Sequence, residues 1–410
     1  MSKQHLVIDN GSYNIKAGFN TGEESKPIKV PNIISKTKDG HIHIGNQYEK
    51  HTNNYSQIQF KSPFEQGHLT SWETEKPIWD YTFDLTSKKE IDPSSTHLIL
   101  TETPFQLPQL SINTDQIVFE EYGFNEYYRC APASLVPFSI DSSVINFDFN
   151  LIIDSGHNFT WIIPVIYQNI YWAGVKKLPI GGKVLNNLLK EFVNFRHYDI
   201  SDDPILVNTI KESTCFMADD FNQTLKKKLN NGCEFILPDF KITTTGFVKT
   251  TETIPPDAQV LKLYDERFIV PETFYHPEIL FDNNSTTSSN QLVQSAPFKN
   301  LIDLIKESIY ACPEITRPLL SANICLVGGT TNILNFQPRL LSELQKELPS
   351  NWKVRIFDNY NDIPKDEMQW YGGINLSNED VLKDITISKK EYFEHGSNWC
   401  QKQFGFKNIT

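Results

Sequence analysis

The sequence has little of what an exported or membrane-spanning protein needs. Its six cysteines include no C-x-x-C pair, so neither a disulfide framework nor a zinc site of that type is indicated. No apolar run approaches the ~18 residues that cross a bilayer. The first ten residues, MSKQHLVIDN, lack the long apolar region of a signal peptide. We therefore expect a reduced compartment, cytosolic or nuclear, and no membrane partner.

Positive charge is also in deficit. The chain has 38 Lys and Arg against 50 Asp and Glu, for a net charge of -12. A protein that coats nucleic acid by itself needs clustered Lys and Arg. The short basic groups Lys176-Lys177, Lys226-Lys227-Lys228 and Lys389-Lys390 are typical of solvated faces. The ten histidines show no metal-ligand spacing, so no zinc site is predicted.

Apolar residues, by contrast, are plentiful, and two stretches of them share one design. Residues 6–19 read LVIDNGSYNIKAGF and residues 151–165 read LIIDSGHNFTWIIPV. In each, three apolar residues run into an Asp, a turn with Gly, and a second β-prone run. Each stretch predicts two strands joined by a tight turn. Two copies predict a duplicated fold, and 410 residues at 39% hydrophobic predict two or three packed domains.

The two turns carry residues that suit a phosphate chain and a cation. Small residues such as Gly11, Ser12 and Gly156 let backbone N–H groups approach an anion closely. Asp9 and Asp154 can each meet a hydrated divalent cation. One such turn alone is usually only a turn. Two that face each other predict a clasp around the phosphates of a nucleotide.

Periodicity predicts the elements between and after the hairpins. Residues 97–101 read as a short buried strand, and residues 114–124, TDQIVFEEYGF, open a helical region that runs toward Phe138. Apolar stripes at helical spacing over 184–193 and 301–309 predict two helices. A further helix is expected to contain residues 205–217.

Three later stretches predict other kinds of structure. Residues 226–260 are rich in Thr, Pro and polar turns and predict a β-type excursion. Residues 282–295, DNNSTTSSNQLVQS, predict a flexible loop. Residues 324–327 read as a buried strand that ends in a Gly-Gly-Thr-Thr turn before an amphipathic helix over 336–348. Such a turn can cradle a ligand at a helix N-terminus, or it can simply change the chain's direction.

Together these motifs resemble the actin-related protein family over nearly the whole chain. DNGSYNIKAGF is similar to the first phosphate loop of actins, DSGHNFTW to the second, and IKES to the nucleotide-side helix. DERFIVPETFYHP is similar to a long actin stretch, GGTT to the adenosine loop, and WYGGIN and ISKKEYFEHG to the C-terminal part. Any one motif is weak evidence, and their shared order carries the resemblance.

The resemblance implies the actin-like ATPase fold, an α/β fold of two duplicated ribonuclease-H-like lobes around a nucleotide cleft, with insertions. The first lobe would comprise residues 1–139 plus 367–410, with 31–60 as its small mobile subdomain. The second lobe would comprise residues 140–366, with 179–306 as its small subdomain and insertions at 221–259 and 282–295.

The same resemblance implies a site for ATP or ADP, in a structural role, between the lobes. Asp9 and Asp154 would flank a hydrated magnesium ion. The other nucleotide contacts would come from Gly11, Ser12, Lys16, Gly156, Lys211, Glu212, Gly328, Gly329 and Thr330. Tyr13 occupies the position of a second Gly, so its side chain must point away from the phosphates or partly fill the site. Asn208 replaces an Arg and Ile333 replaces an aromatic residue against the adenine, and both changes weaken the expected affinity.

The resemblance also implies that hydrolysis has been lost. Phosphoryl transfer depends on positioning the attacking water. Pro132 stands where a water-orienting Gln belongs, and proline offers no side-chain donor or acceptor. Trp161 replaces a His near the water, and His157 replaces an acidic residue. We expect no catalytic residue and negligible ATP hydrolysis; His157 as a catalytic base is the weaker interpretation.

Within the family the chain is most similar to the subfamily known as a noncatalytic subunit of the SWR-type chromatin remodelling complex, which exchanges a core histone for its Z-type variant. The pointers are WIIPV, KKLPIGG, FRHY, ILPDF, PETFYHPEI and EHGSNWCQKQFGF. This implies a scaffold subunit, nuclear or also cytoplasmic, that binds a large remodelling ATPase and a zinc-finger HIT-type subunit. It would meet nucleosome or DNA only within the complex and would form no homopolymer. The alternative is an active actin-like ATPase or a filament-forming cytoskeletal relative.

Overall fold

Each of the two hairpins lies inside its own mixed sheet. The Gln4–Asn10 strand pairs antiparallel with Asn14–Phe19 and parallel with Thr96–Thr101. Phe149–Ser155 pairs in the same way, antiparallel with Thr160–Ile166 and parallel with Ile324–Val327. The repeated arrangement confirms the predicted duplication. The computed structural model describes residues 4–21, 25–51, 58–86, 91–140, 148–196, 199–200, 203–227, 232–238, 245–250, 258–281, 299–357 and 363–405.

The first sheet has six strands. Their spatial order is Ile387–Ser388, Glu126–Cys130, Thr96–Thr101, Gln4–Asn10, Asn14–Phe19 and Ile28–Pro31. Helices of the same half of the chain are Trp72–Thr86, Pro108–Gln116, Met368–Leu376, Leu382–Ile385, Lys389–His395 and Ser397–Phe404. Trp79 belongs to one buried cluster of this half and Trp370 to another. The Thr96–Thr101 strand is buried at every residue, as strands covered on both faces usually are.

The second sheet carries the other half of the chain. Its strands run Asn169–Ile170, Thr160–Ile166, Phe149–Ser155, Ile324–Val327 and Ile356–Phe357, with Lys176–Leu178 also paired to Thr160–Ile166. The helices of this half are Gly182–Arg196, Pro204–Thr214, Phe221–Lys226, Glu266–Glu272, Leu301–Ala311, Arg317–Ser321 and Phe336–Glu347. The predicted helices over 184–193 and 301–309 are therefore confirmed.

Smaller sheets lie apart from the two large ones. A three-stranded sheet of Ile34–Lys36, Ile42–Ile44 and Gln59–Lys61, with the helix Gln47–His51, forms after the first hairpin, and Phe64–Glu65 pairs with His68–Leu69. A second small sheet of Cys233–Ile236, Phe247–Val248 and Val260–Leu263 confirms the β-type prediction for 226–260 where that stretch is described. Lys228 and the loop predicted at 282–295 lie outside the described residues, and the domain limits stay a prediction.

Two helix predictions are wrong at their C-terminal ends. The helical region that begins at Pro108 continues as a π-helical segment, Ile117–Tyr122, and Gly123 ends it in the left-handed region at φ 79. The chain does not stay helical toward Phe138 but forms the strand Glu126–Cys130, because this segment pairs parallel with Thr96–Thr101. The helix expected over 205–217 ends at Thr214, since Phe216 forms a bridge to Leu334. Within the described ranges no helix has both the length and the apolarity needed to cross a membrane.

Candidate nucleotide site

A cleft of about 550 Å³ opens where the two hairpin turns meet. All the residues that the sequence placed at the site line it: Asp9, Gly11, Ser12, Lys16, Asp154, Gly156, Lys211, Glu212, Gly328, Gly329 and Thr330. They come from distant parts of the chain, and the duplicated sheets bring them together. The contact of each residue with a nucleotide stays a prediction.

The two hairpins place different partners opposite their aspartates. In the first hairpin Asp9 lies across from Lys16, whereas in the second Asp154 lies across from Trp161. Lys16 Nζ donates to Asp9 Oδ2 at 2.9 Å, and Thr101 Oγ1 donates to Asp9 Oδ1 at 2.7 Å. Burial lowers the pKa of Lys16, but the carboxylates of Asp9, Asp366 and Asp154 together outweigh it and raise the pKa above its usual value. Lys16 is therefore a cation poised beside the phosphate turn.

Asp154 is a weaker acid than an ordinary aspartate. Gln369 Nε2 donates to Asp154 Oδ2 at 3.4 Å. Burial, together with the negative charge of Asp9, raises the pKa of Asp154 to about 6, although Lys16 opposes the shift. Two carboxylates that repel each other in a buried site are stabilised by a cation between them. Their oxygen donors suit magnesium, which usually keeps several waters. No cluster of three or more His, Cys, Asp or Glu exists in the described part of the chain to form a fuller metal cage.

Two glycines of the site leave no room for a side chain. A Cβ on Gly11 would lie 2.5 Å from the Asn14 carbonyl oxygen. Gly328 has φ +89, and a Cβ there would lie 2.4 Å from the Ser155 carbonyl oxygen. Thr330 Oγ1 donates to the Gly156 carbonyl at 2.9 Å. The Gly-Gly-Thr-Thr turn is thus fitted against the second hairpin, and its last three residues belong to a short 3₁₀ turn, Gly329–Asn332, that precedes the helix Phe336–Glu347.

Asn208 organises the Lys-Glu pair. Lys211 Nζ donates to Asn208 Oδ1 at 2.8 Å, and Asn208 Nδ2 donates to Glu212 Oε1 at 2.8 Å. Burial lowers the pKa of Lys211, which Glu212 partly offsets. Asn208 stands where the family pattern has an Arg, and in this structure it holds both neighbours in place.

A direct link between the two turns was not foreseen from the sequence. Asn158 Nδ2 donates to Ser12 Oγ at 2.7 Å, and the rings of Tyr13 and His157 lie with centroids 4.9 Å apart. Tyr13 is 41% exposed, so it lies at the surface of the cleft against His157. The signal available in the sequence was that Tyr13 and His157 both depart from the family pattern, at facing turns.

His157 is poorly suited to proton transfer. Burial, with the nearby charges of Lys211 and Lys183, lowers the pKa of its imidazole to about 3. The ring is therefore neutral at physiological pH and binds no proton until strongly acidic conditions. A general base works best with a pKa near the operating pH, so the structure favours a contact role for His157.

The wall near Pro132 and Trp161 is apolar. Both residues line the cleft, and Trp161 is only 8% exposed. Its ring packs against Phe105 at 6.1 Å and Phe159 at 6.3 Å between centroids. The Lys177 ammonium lies 3.4 Å from the centre of the Phe159 ring, an attractive cation–π geometry. At these two positions the cleft presents rings where the family pattern has polar groups.

The comparisons with known proteins agree with this geometry. The family model described as Actin matches residues 1–405. The chain belongs to the actin family. It is 65% identical to the actin-like protein ARP6 of Candida albicans over 99% of both chains, and 61% identical to that of Debaryomyces hansenii over 100% of both. It is 33% identical to actin-related protein 6 of Neurospora crassa, over 97% of this chain and 94% of that one.

These findings confirm the resemblance to the actin-related proteins and to the subfamily that the motifs indicated, which is that of actin-related protein 6. They also confirm the actin-like ATPase fold. Membership of the actin family supports nucleotide binding in general.

Proposed function

We propose that this actin-family chain is a non-catalytic subunit of a nuclear SWR-type ATP-dependent chromatin remodelling complex that exchanges a core histone for its Z-type variant. The proposal rests on one observation: the cleft has residues suited to binding a nucleotide but lacks those expected to position the attacking water. The residues for phosphates and a cation remain, at Asp9, Lys16 and Asp154, while Pro132 and Trp161 occupy the positions expected to handle water. Similarity to proteins named ARP6 supports the choice of complex.

A nucleotide in this cleft has a structural role. Asp9 and Asp154 would hold the magnesium ion of ATP or ADP, and Lys16 would bind the phosphates, whereas the N–H groups of Gly11 and Gly156 already donate to the carbonyls of Asp9 and Phe159 at 3.0 Å. Bound magnesium neutralises phosphate charge. Because the ligand spans both hairpins, it binds only the folded arrangement. At a concentration of 100 times its Kd such a ligand stabilises the fold by about 2.7 kcal/mol.

Turnover is negligible because the attacking water lacks an orienting group. Hydrolysis of a phosphoanhydride is mainly positioning and electrostatic stabilisation. Pro132 has no polar side-chain atom, Trp161 presents a ring, and the His157 imidazole, with a pKa of about 3, is too weak a base to take a proton from water. No catalytic residue is assigned.

Insertions supply the partner surfaces. The described part of the 221–259 insertion forms an added sheet in which Phe247 is exposed while Phe235 is buried in the core. The partners are a large remodelling ATPase subunit and a zinc-finger HIT-type subunit, and nucleosome or DNA is met only in the complex. In this role the chain assembles with other subunits through these surfaces and does not form a homopolymer.

The second candidate is an active actin-like ATPase or a filament-forming relative, which the retained Asp9, Lys16 and Asp154 favour. A phosphate-release assay with magnesium and ATP separates the two. We expect no release above that of an Asp154→Ala variant. Turnover comparable to that of actin, abolished by Asp154→Ala, would overturn the non-catalytic assignment.

Co-purification tests the assembly role in the same preparation. Deleting 221–259 would remove the buried Phe235 and Leu237, so a surface change is the sharper test. Phe247→Asp is expected to reduce recovery of the large remodelling ATPase subunit, whereas Phe195→Asp, at a more exposed phenylalanine on the Gly182–Arg196 helix, is not. A stable monomer that never co-purifies with such a complex would contradict the proposal.

A further inference from the structure

A buried carboxyl group lies behind the first phosphate turn and has no part in the proposed function. Glu75, on the helix Trp72–Thr86, is 0% exposed. Two donors reach its Oε1: Trp79 Nε1 at 3.1 Å and Asn32 Nδ2 at 3.3 Å. Its Oε2 is buried and has no hydrogen-bond partner among the described residues. The two oxygens of one carboxyl group are therefore in very different environments.

Asn32 connects Glu75 to the turn. Its Nδ2 also donates to the Gly11 carbonyl at 3.1 Å, and its backbone N–H donates to the Tyr13 carbonyl at 2.9 Å. Asn32 thus holds the turn on both sides of Ser12. Its own Oδ1 is buried and, within the described chain, accepts no hydrogen bond. Glu75 and Asn32 each have one oxygen without a donor.

One proton satisfies both oxygens. A carboxylic acid and a primary amide pair through two bonds: the acid's carbonyl oxygen accepts from the amide N–H, and the acid's O–H donates to the amide oxygen. The first bond is present, from Asn32 Nδ2 to Glu75 Oε1. An ionised Glu75 would leave a buried charge without a cation, which is costly, since no basic group of the described chain perturbs it.

We propose that Glu75 is held in its protonated form, donates from Oε2 to Asn32 Oδ1, and so acts as a positioning residue that fixes Asn32 on the first phosphate turn. The consequence for nucleotide affinity rests on the proposed function, whereas the acid–amide pair stands on the contacts of Glu75 and Asn32 alone.

The surroundings of Glu75 support a neutral acid. The groups that face it are Asn10 and Asn32, Trp79 of its own helix, and Tyr122, whose hydroxyl donates to Asp80 at 2.8 Å. Burial raises the pKa of Glu75 from 4.5 to about 7, and the neighbouring Asn10, Asn32 and Trp79 oppose the shift. Because the folded pKa exceeds the unfolded one, the stability that this group contributes is full below pH 4.5 and is lost as pH rises through about 7.

The test is Glu75→Gln, whose amide can make both bonds at every pH. Its matched control is Glu73→Gln, which makes the same substitution at an exposed position of the same helix. Between pH 5 and 7 the folding equilibrium constant of the wild type is expected to fall relative to that of Glu75→Gln, by up to tenfold per pH unit. Glu73→Gln is expected to follow the wild type.

Several results would overturn the proposal. Equal pH profiles for wild type and Glu75→Gln would do so, as would a Glu75→Gln protein that fails to fold, because a neutral isostere should fit the pair. Infrared spectroscopy gives a second measurement: a carboxylic-acid carbonyl band at pH 6 that is absent from Glu75→Gln supports the protonated form, and its absence from the wild type contradicts it.

Nucleotide affinity separates this inference from the proposed function. Mg-ADP titrations at pH 6 and pH 8 are expected to show the wild type weakening at pH 8 relative to Glu75→Gln. If neither protein binds nucleotide at either pH, the nucleotide role of the cleft fails, while the denaturation and infrared results still decide the acid–amide pair.

Discussion

At the scale of the residue, the cleft depends on a position where the backbone conformation and close contacts require glycine. Gly328 has a positive φ and faces the Ser155 carbonyl, whereas a Cβ added to its neighbour Gly329 would meet no heavy atom within 4 Å. Adjacent glycines in one turn therefore have different roles. Gly328 permits the close approach of the turn to the second hairpin, and Gly329 leaves open space beside the cleft.

Gly328→Ala is expected to lower the free energy of unfolding by about 1–3 kcal/mol, because a side chain there is strained in φ and clashes with backbone that cannot withdraw. Gly329→Ala is the matched control and should change stability by less than about 1 kcal/mol. Chemical denaturation measures both. Equal losses in the two variants would show that the close approach at Gly328 does not matter.

At the scale of the element, the two copies of the hairpin differ in the residues that they present to the cleft. Each has an aspartate at the end of its first strand, but the residue across from it is Lys16 in one and Trp161 in the other. The first hairpin thereby keeps a cation for phosphates, and the second presents an aromatic wall. The turns themselves are joined by Ser12 and Asn158, so the two elements behave as one unit at the mouth of the cleft.

A double-mutant cycle tests this joining. Ser12→Ala and Asn158→Ala are expected to show a coupling energy of about 0.5–1.5 kcal/mol in unfolding experiments, the usual net value of one hydrogen bond. Ser12→Ala combined with Asn332→Ala, which removes a cleft-lining side chain from the Gly329–Asn332 turn, should be additive. Additivity of the Ser12 and Asn158 changes would mean that the turns are not coupled by this bond.

At the scale of the whole molecule, the cleft lies where the two large sheets meet. Residues of both halves line it, and the buried Asp9 and half-buried Asp154 place two carboxyl groups there. A cation and a polyphosphate bound between the halves would relieve the repulsion between these two groups and gain contacts from both sides. Stability of the whole chain is therefore expected to depend on magnesium and nucleotide together.

The magnesium contribution should depend on pH through Asp154. Its pKa of about 6 means that the carboxylate is largely ionised at pH 7.5 and largely protonated at pH 5, and magnesium binds only the ionised form. The rise in Tm with Mg-ADP over ADP in chelator is expected to be larger at pH 7.5 than at pH 5. Making the measurement in the Glu75→Gln variant avoids a separate titration of Glu75. In an Asp154→Asn variant the rise in Tm should no longer differ between the two pH values. An equal rise at both pH values would contradict this assignment.

Much of the fold could be read from local pattern, because strand and helix signals are periodic along the chain. Both hairpins, the Thr96–Thr101 strand and the amphipathic helices formed as expected. The errors lay where tertiary pairing decided the outcome. Residues 126–130 became a strand because the Thr96–Thr101 edge was available to pair with them, and the helix after Pro204 stopped at Thr214 because Phe216 meets Leu334.

Local sequence was enough to establish the duplicated hairpins, the family and the residues that line the cleft, since glycines, aspartates and apolar runs act through backbone preference and shared order. Which groups meet was settled by the folded chain alone. The Tyr13–His157 contact, the Ser12–Asn158 bond and the pairing of Glu75 with Asn32 join residues that are far apart in the chain. Burial and mutual distance set their hydrogen bonds and pKa values, and neither quantity is encoded by residue type at a single position.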